Sequence, residues 1–161
     1  MASREMKGEI LVGISGVVLL ILLLFPWFSW TNTGITISDA SGSHSPQGAL
    51  TIWQALPVAG YILLFSGVVA VGIAIFKRIR RENLPTWASM LLIALGILSA
   101  GLMLKSVILP PTEVDLGAIV MMDVQVTPTI GSWLGFVATL GIICGGILIL
   151  RRRENSIVKT P

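Results

Sequence analysis

Four long stretches without a charged side chain dominate this sequence: residues 10–28, 56–76, 84–104 and 132–150. Each is close to the ~20 apolar residues that a helix needs to cross the ~30 Å hydrocarbon layer of a bilayer. In hydrocarbon every backbone N–H and C=O must be bonded within its own segment or in a closed barrel. Barrel strands are about ten residues long and alternate polar with apolar side chains. These stretches are longer and apolar on all sides, so they predict helices. A charge at the centre of such a helix costs ~2.5–3.5 kcal/mol, which accounts for charges gathering between the stretches. Only 12% of the 161 residues are charged and 54% are hydrophobic, against roughly 25% charged in an ordinary soluble domain. Four spans and their connections use nearly the whole chain, so residues 1–161 read as one domain with no room for a second, soluble one.

The connections alternate in charge. Arg4 and Lys7 precede the first stretch, and residues 31–55 contain no Lys or Arg. Lys77, Arg78, Arg80 and Arg81 follow the second stretch. The connection over residues 105–131 holds Lys105 at its edge and then Glu113, Asp115 and Asp123. Arg151, Arg152, Arg153 and Lys159 follow the fourth stretch. Cytoplasmic connections carry the excess of Lys and Arg. Both termini and the 77–81 turn are therefore expected in the cytoplasm, with 31–55 and 105–131 outside. The net charge of +3 belongs to this topology and does not indicate nucleic acid. The basic residues would also attract anionic lipid headgroups. Ser38-Asp39-Ala40 weakly resembles a cleavage site, but the first apolar run is long for a signal peptide and reads as a retained span.

Tryptophans flank the stretches: Trp27 and Trp30 end the first, Trp53 precedes the second, Trp87 opens the third and Trp133 the fourth. At these depths they are expected to be interfacial anchors, because a ring with a polar edge suits the headgroup layer. A ligand cage built from Trp27, Trp30 and Trp53 is the alternative. Lipid removes the hydrophobic drive between helices, so close packing of small residues takes its place. Gly131/Gly135 and Gly141/Gly145 have the GxxxG spacing, and Gly96 and Ala100 repeat it on the third span. They are expected to be packing positions, within the chain or in a dimer.

Two outer segments alternate apolar with polar residues, Gly34 to Ser38 and Met122 to Thr127. This period of two marks half-buried strands, so a small β-cap is expected over the outer end of the helices, with residues 41–48 as its flexible loop. Leu116, Ile119, Val120 and Met121 add apolar surface that would serve as core, membrane contact or docking site.

The residues for familiar membrane chemistry are sparse. The single histidine, His44, lies in a Ser/Gly loop, and the single cysteine, Cys144, lies in the fourth stretch and reads as a packing residue. Bis-histidine haem, a cysteine-pair oxidase and a Ser-His intramembrane protease each need more than this. No Gly-rich phosphate loop follows a strand. Proton-coupled carriers keep a carboxylate within the membrane; Glu9, at the edge of the first span, is the one candidate and reads instead as a partner of Lys7 or Arg4. Ser15, Ser66, Ser89, Ser99 and Thr139 are the intramembrane hydroxyls, each expected to bond its own helix.

Arg4-Glu5, Gly13-Ile14-Ser15-Gly16, Phe25-Pro26-Trp27-Phe28, Trp53-Gln54-Ala55, Pro110-Pro111 and Trp133-Leu134-Gly135, running through Gly145-Gly146 to Arg151-Arg152-Arg153-Glu154, together resemble a group of small, uncharacterised four-span membrane proteins of actinobacteria. The likeness covers nearly the whole chain, which departs from the group in a longer connection over residues 116–129. It implies four spans in a bacterial inner membrane and no particular activity. The architecture is loosely similar to that of claudins, although the two cysteines of the first claudin outer loop have no counterpart here. The expected fold is thus an all-α membrane protein: an antiparallel four-helix transmembrane bundle with a small extracytoplasmic β-cap. The expected role is a non-enzymatic accessory, assembly or structural subunit, without a cofactor, metal or catalytic residue. Its expected partners are membrane lipids, itself or other membrane proteins. A small channel or carrier is the alternative.

Overall fold

The computed structural model describes residues 7–32, 37–39, 42–44, 47–80, 85–110, 114–115, 120–121 and 124–157. Arg4, Arg81, Glu113 and Asp123 lie outside them. Four main helices run over Lys7–Leu22 (α1), Pro57–Arg80 (α3), Thr86–Ile108 (α4) and Ile130–Ile157 (α5), with a single-turn helix α2 at Ile52–Ala55. Strands lie at Pro26–Asn32 (β1), Ile37–Asp39 (β2), Gly42–His44 (β3), Gln47–Thr51 (β4), Val114–Asp115 (β5), Val120–Met121 (β6) and Val124–Pro128 (β7).

Three helical segments, Pro57–Ile79, Thr86–Ile108 and Ile130–Arg151, are long and apolar enough to cross a membrane. In each, only 33% of the most apolar window is buried, so most of it faces outward. The outward side chains are large and apolar, including Val58, Phe65, Ile97, Val137 and Ile147. The buried set in turn includes Ser66, Ser89, Ser99, Ser106, Ser132 and Thr139. The interior is chiefly apolar with these hydroxyls among it, and it is the exterior, covered in large aliphatic and aromatic side chains, that departs from a water-soluble domain. A surface this apolar is stable only against lipid or another apolar surface. The chain is a multi-pass membrane protein.

The helices pack in a closed order, each of α1, α3, α4 and α5 on two of the others: α1 against α3 and α5, and α4 against α3 and α5. The core follows this ring, with Val12, Leu19, Leu63, Leu92, Met103 and Ile142 fully buried. Close approach rests on glycines. Gly145 lies against Val12 and the Gly8 carbonyl, and Gly141 lies against the Ser15 hydroxyl. A methyl group on Gly96 would sit 2.6 Å from Ile143 Cγ1 of α5, and one on Gly146 would sit 2.9 Å from Ile93 Cγ1 of α4.

The apolar run over residues 10–28 is not one helix. It is α1, a tightened turn and the start of β1. Pro26 cannot donate the next helical hydrogen bond, and the helix tightens before it: Leu24 N–H bonds Ile21 O and Phe25 N–H bonds Leu22 O, each across three residues. The chain then enters a three-stranded antiparallel sheet in the order β4–β1–β7. Trp30 stands opposite Gly48 on one side and Val126 on the other. The second alternating segment is therefore a strand, β7. It pairs with β1, from Phe28 at the end of the first apolar stretch to Asn32, while Ile37 and Ser38, the described residues of the first alternating segment, lie in the β2–β3 hairpin. The expected flexible loop over residues 41–48 is likewise corrected, since it contains β3 and the start of β4. The connection over residues 31–55 ends in α2, where the Gln54 side-chain carbonyl accepts the Thr51 N–H at 3.0 Å. In the next connection α4 continues to Ile108, so Lys105 is helical.

Candidate functional site

Two regions concentrate polar groups against the apolar helices: the junction between α1 and the sheet, and the opposite end, where α1 meets α3.

At the junction, α1 stops inside apolar surroundings, and its last carbonyls lose their α-helical partners, with the tightened turn meeting only part of their capacity. Two indoles supply them. Trp27 Nε1–H donates to Leu22 O at 2.7 Å, and Trp53 Nε1–H donates to Leu23 O at 3.2 Å. A β-bulge between Pro26 and Phe28 makes this reach available. Side chains normally alternate across a strand, but an extra residue re-aims them, and here Trp27 and Phe28 are both fully buried. The Trp27 ring lies over Gly135, where a Cβ would collide with it, and Gly131 packs on the Pro26 carbonyl. The start of α5 closes the join: Thr129 N–H bonds Trp27 O at 2.9 Å, Thr129 Oγ1 donates to Pro26 O at 2.9 Å, and Ser132 Oγ donates to Trp27 O. Ser29 and Thr127 hydroxyls bond across the sheet at 2.7 Å.

This corrects the expectation for Trp27, which is fully buried and cannot anchor in a headgroup layer. Trp30 and Trp53 are half-buried against the core; Trp30 lies across Gly48, while Trp53 covers Gly60 and meets the Tyr61 ring edge-on at 5.5 Å. These three tryptophans do not form an open cage, because their rings are filled by glycine backbone. Trp87 and Trp133 do point outward, at 66% and 52% exposure.

At the other end Glu9 on α1 forms an ion pair with Lys77 on α3, each side chain 19% exposed. Lys77 lies far along the chain from Glu9 and reaches it because α1 and α3 pack side by side; the expected partners, Arg4 and the Lys7 side chain, lie outside what is described. Next to the pair a groove of about 580 Å³ runs between the two helices. Its walls are apolar, with Ile10, Ile14 and Val17 from α1 and Val71 and Ile75 from α3, while Glu9 and Arg78 line its one polar end. Arg78 is exposed and has no ion-pair partner among the described residues. Arg80 closes α3, and Arg151, Arg152 and Arg153 continue α5, with Arg151 exposed.

The remaining intramembrane hydroxyls do not meet in one place. Ser66 and Ser99 bond each other between α3 and α4 at 2.8 Å, Thr139 Oγ1 donates to Phe136 O at 2.7 Å, and Ser106 Oγ donates to Leu102 O at 2.7 Å. None of them lines the groove. Ala100 is half-buried on α4, and Cys144 is exposed on α5 and not packed inside. Among the described residues no three His, Cys, Asp or Glu side chains gather as metal ligands. Sequence reasoning missed Thr129, Ser132 and the indole caps; the hydroxyls just ahead of the fourth stretch were the available signal. The chain matches no protein-family model and no curated protein.

Proposed function

We propose that this protein is a four-span subunit of a bacterial inner membrane, with both termini in the cytoplasm, that acts as a non-enzymatic accessory or assembly partner. The observation that carries the reading is the apolar exterior of the helices. The buried hydroxyls whose bonds are described pair with the chain itself, while the outward faces of the helices are aliphatic. Such an exterior offers contact with lipid or with another apolar helix. The likeness to small four-span actinobacterial membrane proteins supports the same reading.

The first span is the least obvious, since α1 has 16 residues. With its tightened turn the coil continues to Phe25; from Ile10 that is fifteen steps, about 23 Å at 1.5 Å per residue, and the apolar start of β1 extends it toward the hydrocarbon thickness. The sheet and α2 would then sit at the extracytoplasmic boundary as a cap, and the end bearing Lys77 and Arg78 would face the cytoplasm. A channel or carrier is less favoured, because Ser66, Ser99 and Thr139, which its polar path would need, instead bond one another or their own helix.

Mild-detergent purification tests the proposal. Size-exclusion chromatography with light scattering is expected to give a defined oligomer or a stoichiometric membrane partner. A monodisperse monomer with no partner, or ion flux from liposomes holding the pure chain, would refute it. Labelling of a cysteine at position 79 by an impermeant reagent from outside intact cells would refute the orientation.

A further inference from the structure

The groove between α1 and α3 differs from the other exposed apolar surface in having a shape, a length and one charged end. It extends along α1 from Ile10 to Val18, eight residue steps, or about 12 Å at 1.5 Å per residue. One leaflet supplies half of a hydrocarbon core ~30 Å thick, so the groove reaches from the inner boundary nearly to the midplane. A partner helix would need a seat along its whole transmembrane length. An acyl chain needs only this one. Small residues set the floor, where Gly13 approaches Ala74, and behind the groove Gly16 approaches Ala70 and the Gly67 carbonyl. The helices meet closely there, and the longer Ile14, Val17 and Ile75 stand at 58%, 45% and 53% exposure as rims.

The polar end carries a net positive charge. Glu9 by itself would repel an anion, but its carboxylate is paired with Lys77. That pairing leaves the Arg78 guanidinium, among the described residues, as the uncompensated charge at the mouth of the groove. A guanidinium presents parallel N–H donors that match two oxygens of a phosphate. We propose that the groove seats one acyl chain of an anionic phospholipid of the inner leaflet, with Arg78 holding its phosphate and the Glu9–Lys77 pair screening the site from a repelling carboxylate. This rests on the reading that the chain is embedded with its 77–81 end at the inner face.

The test is native mass spectrometry of the full chain released from detergent micelles doped with equal parts phosphatidylglycerol and phosphatidylcholine. Alkaline carbonate washing of the source membranes comes first: release of the wild type would refute embedding itself. A carbonate-resistant chain that retains both lipids equally would refute only the lipid site. The expected result is one retained phosphatidylglycerol, preferred about fivefold, which is the factor corresponding to ~1 kcal/mol per basic residue near an anionic headgroup. Arg78→Gln is expected to bring the ratio close to one with an unchanged far-ultraviolet circular dichroism spectrum. Ile14→Trp fills the groove from an exposed position and is expected to lower retention of both lipids. The proposal is overturned if Arg78→Gln keeps the preference, or if Ile14→Trp keeps both lipids. It is also overturned if free glycerophosphoglycerol displaces the lipid, since the acyl seat would then contribute nothing, or if Ile14→Trp turns a wild-type dimer into a monomer, since a second copy would then own the groove.

Discussion

At the sheet end of the molecule, the main-chain groups released where α1 stops are taken up by side chains from three other segments. Trp27 and Trp53 donate to Leu22 and Leu23 carbonyls, and Ser132 and Thr129 close the return to α5. At the opposite end one ion pair, Glu9–Lys77, joins α1 to α3 beside an open apolar groove. Both ends bring polar groups to an apolar body. The first distributes them over several neutral hydrogen bonds around two fully buried aromatic rings, and the second relies on one charged contact with a partly exposed surround. An unpaired carbonyl can be satisfied by any nearby N–H, whereas an unpaired charge needs an opposite charge or solvent. The sheet end is therefore expected to hold the fold, and the groove end to be adaptable.

The sharpest way to break this contrast is Trp27→Ala. It removes a fully buried ring, its cap on α1 and the contact with Gly135, and is expected to cost about 3–5 kcal/mol, read as a large fall in thermal midpoint in mild detergent. The outward-facing Trp133→Ala is the control and should shift the midpoint little. Equal effects would mean that the sheet end is no core. Next in size is Gly135→Val, which drives a side chain into the Trp27 ring and should cost roughly 1–3 kcal/mol by overpacking. Combining it with Trp27→Ala should recover part of that loss, because the cavity accepts the added methyl groups. Smaller again is Lys77→Met, which leaves Glu9 with no partner. Its cost should fall between the ~1 kcal/mol of an exposed pair and the ~3 kcal/mol of a buried one, and Glu9→Gln in the same chain should restore most of it. A loss as large as that of Trp27→Ala would place the stability at the groove end instead. The smallest expected effect is Ser66→Ala. Hydrogen bonds between membrane helices average about 0.6 kcal/mol in double-mutant cycles, so coupling between Ser66 and Ser99 should lie near that value.

Much of the helical architecture was legible in the chain. The second, third and fourth apolar stretches appear as α3, α4 and α5 within a few residues, because a run of uncharged side chains long enough to cross hydrocarbon has few other solutions. The glycines of α5 stand where they were expected to, at close approaches, although to two kinds of neighbour: Gly131 and Gly135 face the strand, while Gly141 and Gly145 face α1. The first stretch misled. Phe25-Pro26-Trp27-Phe28 is as apolar as a helix end, and hydropathy cannot distinguish a helix from a buried strand of the same composition. Pro26 was the mark of the break. Trp27 misled for a related reason: an indole is suited both to a headgroup boundary and to a buried carbonyl, and only its surroundings choose. Glu9 likewise had basic neighbours nearby in sequence, while its partner came from the adjacent helix.

The sequence by itself determined that this protein lives in a membrane, that its second, third and fourth apolar stretches coil, and where the charges concentrate, since each follows from the cost of placing a polar or charged group in hydrocarbon, a property of the local segment. Tertiary structure alone decided that α1 yields to a strand at Pro26, that Trp27 caps a helix and does not float at a boundary, and that Lys77 answers Glu9. Those outcomes depend on which distant groups arrive to satisfy an exposed carbonyl or carboxylate. That is settled by how the helices pack and not by anything within reach along the chain.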